Sequence, residues 1–181
     1  MIDLRKNELP SRLEWGGNSA LIDTSFRTWI EFERRIREDQ MVWVGIFPDG
    51  KVPKDDGWIQ AAIDFWKSEN ATPRMTRPPS KVRLIDYIED GDHIVASFQQ
   101  AYGIDLTVED MHWHRFKALL GGLPDNTKMS KIMGYRDYNE MDAKRKYEDI
   151  QKEQRAAWSL PLPDSEDDEM GGFGGLIEAF G

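Results

Sequence analysis

Apolar residues recur along this chain mostly at helical spacing, with one early exception. Leu13 and Trp15, then Gly16-Gly17-Asn18, then Ala20 and Ile22 alternate around a glycine turn and predict two short paired strands. Asp23, Thr24 and Ser25 can each cap a helix, and Phe26, Trp29, Ile30, Glu33 and Ile36 follow at i, i+3, i+4 spacing, so a first helix is expected over residues 25 to 39. Residues 41 to 47 are too short an apolar run to tell a strand from a helical turn, and Pro48-Asp-Gly50 ends them. Trp58, Ile59, Ala62, Ile63 and Trp66 form a second stripe within residues 56 to 67. The proline-containing stretch 71 to 80 cannot continue a helix and reads as an exposed connector.

The carboxy half repeats the helical pattern. Ile85, Ile88, Ile94, Val95, Phe98 and Tyr102 predict a third helical stretch that Gly91 interrupts and Gly103 terminates. Thr107 to Asp110 has the form of a capping box with aspartate for glutamate, ahead of Met111, Trp113, Phe116, Leu119 and Leu120 and then Gly121-Gly122. A fifth helix over 125 to 135 and a mostly charged sixth over 139 to 158 complete the pattern, which Leu160-Pro-Leu-Pro163 stops. The expected class is mainly α: an N-terminal β-hairpin and about six helices in one compact domain over 9 to 158, a short arm before it at 1 to 8, and a mobile acidic and glycine-rich tail over 159 to 181. Trp29, Phe32, Trp66, Phe98, Trp113 and Phe116 are the expected aromatic core.

Composition narrows the chemistry. A chain of 181 residues can bury a sizeable core, and the excess of 33 acidic over 24 basic residues, a net charge of -9, argues against nucleic acid as a partner. The absence of cysteine removes disulfides, thiolate zinc sites and cysteine nucleophiles. Neither a secretory signal nor an apolar run of membrane-spanning length is found, so a soluble protein with no membrane partner is expected. Asp86, Asp90 and His93 could share a helical face and offer ligands to a divalent metal, but the same acids suit the solvated start of a helix. His112 and His114 stand two apart and cannot form the i, i+4 zinc pair; one is expected in the core and the other near the surface. No phosphate-binding loop or nucleophile elbow occurs, so no catalytic, cofactor or metal site is assigned. The basic residues from Lys128 to Arg155 are interleaved with acids, as on a helix surface laced with ion pairs.

Taken in chain order, the segments 9 to 13, Gly16-Gly17, 24 to 33, 101 to 106, 112 to 123 and Gly134-Tyr-Arg136 resemble the "gene product fifteen" family of bacteriophages and prophages of Gram-positive bacteria. The resemblance covers about residues 9 to 158, and the combination of Tyr-Gly-Ile-Asp-Leu at 102 to 106, His-Trp-x-x-Phe at 112 to 116 and Tyr-Arg at 135 to 136 is more specific than any one piece. The resemblance implies a non-enzymatic tail assembly chaperone of long-tailed phages, encoded between the major tail protein and the tape measure protein. Such a chaperone coats the tape measure protein in the host cytoplasm before tail-tube subunits polymerise, and is absent from the mature virion. In many such phages a ribosomal frameshift also yields an extended form. The major tail protein and self-association are further partners it allows. A structural tail or head-tail component retained in the virion is the alternative, and a small hydrolase using Asp86, Asp90 and His93 a more distant one. Tyr135, Arg136 and Tyr138 are the expected exposed partner contacts, against a local helix-end cap. Phe173, Leu176, Ile177 and Phe180 in the tail form a weak docking strip, against a disordered end without a partner.

Overall fold

The computed structural model describes residues 2, 4–6, 8–38, 40, 44–67, 82–137 and 148–160. Strands β1 (Arg12–Trp15) and β2 (Asn18–Leu21) pair antiparallel, with Leu13 opposite Ala20 and Trp15 opposite Asn18. Gly16 and Gly17 connect them at φ of 48 and 83 degrees, the left-handed pair that a two-residue hairpin turn demands. Six helices follow among the described residues: α1 (Phe26–Arg37), α2 (Gly57–Lys67), α3 (Gly91–Tyr102), α4 (Trp113–Gly121), α5 (Lys128–Arg136) and α6 (Glu148–Trp158). A single 3-10 turn, Val44–Ile46, occupies part of the ambiguous run. The mainly α class with an N-terminal hairpin is therefore observed. Residues 138–147 in the expected sixth helix, the connector and the tail from 161 lie outside the described residues.

Contacts cluster into two compact units. One comprises Met1–Arg77 and Asp110–Ala118, the other Pro78–Glu109 and Leu119–Met170, as far as these are described. The chain leaves the first unit after α2 and returns for the start of α4.

In the first unit, the α1 stripe buries Phe26, Trp29, Phe32 and Ile36 with Leu13, Ile22, Ile46, Phe47, Trp58, Phe65, Trp113 and Phe116. The rings interlock: Trp29 lies 4.4 Å from Phe65, Phe47 meets Trp58 edge-on at 5.2 Å and Phe26 stacks on Phe116 at 4.7 Å. Trp66 departs from the expected core. It is half-buried, and its indole N–H donates to the buried Glu33 at 3.1 Å, so the ring sits where its polar edge finds a partner. A β-carbon on Gly57 would approach the Trp15 ring to 2.6 Å, so glycine is what lets α2 begin against the hairpin.

In the second unit, α3 ends on Gly103 in the left-handed conformation, as its position predicts. Ile94, Phe98, Leu106, Leu120, Leu123, Met129 and Ile132 make its core. The Ser97 hydroxyl accepts the Met129 N–H at 3.0 Å and Thr127 caps α5, so the helix start is satisfied from within. The Tyr102 hydroxyl donates to the Leu119 carbonyl at 2.8 Å.

The expected capping box does not start α4. Asp105 takes the N–H and hydroxyl of Thr107, holding residues 105–109 as a turn, and the helix begins six residues after Thr107, at Trp113. Met111 and His112 instead join the start of α1: the Phe26 N–H donates to the Met111 carbonyl at 2.9 Å, and Ser25 bridges His112.

Candidate functional site

The His112-Trp-His114 motif, conspicuous in the sequence, is a structural clamp. The Nδ1 atom of His112 accepts the His114 N–H at 3.0 Å, so that nitrogen carries no proton and the ring caps α4. Its Nε2–H then donates to the Pro10 carbonyl at 2.8 Å. Along α4, Trp113 Nε1 donates to the Trp66 carbonyl at 2.8 Å, His114 Nε2 to the Phe65 carbonyl at 2.9 Å, and Lys117 Nζ to the Lys67 and Trp66 carbonyls at 2.8 and 3.2 Å. Three donors spaced i, i+1 and i+4 thus satisfy the carbonyls at the end of α2, which a helix terminus otherwise leaves open. Burial is the main influence on both rings: it pushes His114 down to about 4 and lowers His112, so both are neutral near pH 7. His114 is the buried histidine and His112 the half-buried one, as expected.

The Asp86, Asp90 and His93 cluster is equally committed. Asp90 is 3 % exposed; its Oδ2 and Oδ1 accept from Arg136 Nη1 and Nη2 at 2.6 and 2.9 Å, and Oδ2 also accepts the Asp86 N–H. Asp86 pairs with Arg83 and caps the Ile88 and Glu89 N–H groups. His93 faces the Trp158 ring at 5.6 Å. Among the described residues no group of histidine and carboxylates is arranged to hold a metal ion.

Arg136 corrects the expectation of an exposed contact. It is 4 % exposed, and beyond Asp90 it donates to the Leu84 carbonyl at 2.9 Å and, through Nε, to the Trp158 carbonyl at 2.7 Å. The guanidinium gathers the approach to α3, the end of α5 and the end of α6 into one tie. It closes the α6 end in the manner of a cap, since an arginine fork is geometrically suited to several oxygens at once. Tyr138, Phe173, Leu176, Ile177 and Phe180 lie outside the described residues.

Tyr135 is half-buried and lines a groove of about 300 Å3 between α5 and α6, with Lys131, Gly134, Gln151 and Gln154. The spacing 131, 134, 135 on α5 and 151, 154 on α6 puts these residues one turn apart on their helices. The side-chain carbonyl of Gln151 is shut from water and has no hydrogen-bond partner among the described residues. Sequence reasoning singled out Tyr135 and missed the glutamines; the available signal was Gly134, a glycine inside a helical pattern. A second groove of about 370 Å3, lined by Asp92, Val95, Ala96, Gln99, Asp105 and Thr107, lies beside α3. Hydrogen bonds from Thr107 lower the Asp105 pKa, so its carboxylate is already engaged.

The fold and these sites define a mainly helical protein whose prominent polar residues act as structural ties, with a partly unsatisfied groove on α5 and α6. Within that class the chain belongs to the bacteriophage Gp15 protein family, whose model matches residues 59–159, more than half of the 181. The match runs from early α2 to just past α6 and leaves out the hairpin and α1. No curated protein and no solved structure matches the chain.

Proposed function

We propose that this phage protein is a non-enzymatic tail assembly chaperone that binds the tape measure protein in the host cytoplasm and leaves before the tail is complete. Family membership over 59–159 is the observation that carries the reading, joined to the motif resemblance from residue 9 onward. The commitment of His112, His114, Asp86, Asp90 and Arg136 to structural bonds supports a binding role over a catalytic one. A tape measure protein exposes long apolar helical stripes before the tube encloses it, and a helical partner with an accessible groove suits such stripes.

Co-expression with the long helical protein encoded beside this gene tests the proposal. The expected outcome is a soluble complex that co-purifies, with the chain absent from purified virions. Equal insolubility of the tape measure protein with and without this chain, and no recoverable complex, refutes it. Ring-like stoichiometry in virions would instead favour a retained structural component.

A further inference from the structure

We draw no further inference here: the strongest candidate, the open groove of about 300 Å3 between α5 and α6 lined by Lys131, Gly134, Tyr135, Gln151 and Gln154, carries none because nothing among the described residues shows what covers it.

Discussion

Arg136→Met is the most informative perturbation of the fold. The parent guanidinium makes four bonds: two to Asp90, one to the Leu84 carbonyl and one to the Trp158 carbonyl. Methionine keeps most of the apolar stem and removes all four. Asp90, 3 % exposed, then holds its charge with only the Asp86 N–H on it. Stranding one member of a buried ion pair costs about 3–5 kcal/mol. The two freed carbonyls add roughly 1 kcal/mol each, being charge-assisted bonds that water partly replaces. The expected loss is therefore on the order of 5 kcal/mol, read as a fall in the urea midpoint followed by circular dichroism. Hydrogen exchange should localise it. No residue of α6 is fully buried, and its end is tied through Trp158, whose carbonyl meets Arg136 and whose ring lies 4.2 Å from Lys128 Nζ, so α6 amides should lose protection first. Asp90→Asn alone should cost a comparable amount by stranding the arginine. The double variant leaves no buried charge, so it should fall short of the summed losses by at least ~2 kcal/mol. A loss under about 1 kcal/mol for Arg136→Met, or single losses that simply add, would refute this account.

Two further outcomes concern the first unit. Trp113→Ala should destabilise by about 3–5 kcal/mol, because the ring is fully buried against Phe116 and its N–H is one of the α2 clamps; an unchanged thermal midpoint would refute its core role. Stability should also fall as pH drops from about 6.5 towards 4. The unfolded chain takes up protons at the ordinary histidine value of about 6.5, whereas burial holds His114 neutral down to about 4, so between those values the unfolded state binds more protons. At about 1.4 kcal/mol per tenfold, the ceiling is ~3 kcal/mol near pH 4, of which roughly 2 is lost between pH 7 and pH 5. Urea midpoints compared at pH 7 and pH 5, in the parent and in His114→Phe, check this: an equal pH-linked loss in the variant would place its source elsewhere.

Much of the architecture was legible because it is local. The α1 stripe from Phe26 to Ile36, the α2 stripe from Trp58 to Ile63 and the left-handed glycines at 16, 17 and 103 follow from side-chain period and backbone sterics within a few residues. The start of α4 was misplaced because two local patterns competed. The Asp105 side chain captured Thr107 first, and the actual cap is an imidazole, a group outside the usual capping residues. Tyr135, expected as an exposed contact, is half-buried between α5 and α6. Arg136 was misjudged because its partner Asp90 lies 46 residues away, and nothing in a linear pattern separates an arginine that meets water from one that meets a buried carboxylate.

The sequence by itself determined the helical class, the hairpin, most of the aromatic core and the likeness to a phage family, all of which depend on periodicity, turn chemistry or ordered motifs. Tertiary structure decided which polar residues are spent and which remain available. Arg136, Asp90 and His112 are consumed by partners from distant segments, whereas among the described residues His114 Nδ1 and the Gln151 side-chain carbonyl are buried without a partner. The reason is that desolvation and hydrogen bonding act between groups brought together only by folding, so the cost or availability of a polar side chain is a property of its surroundings.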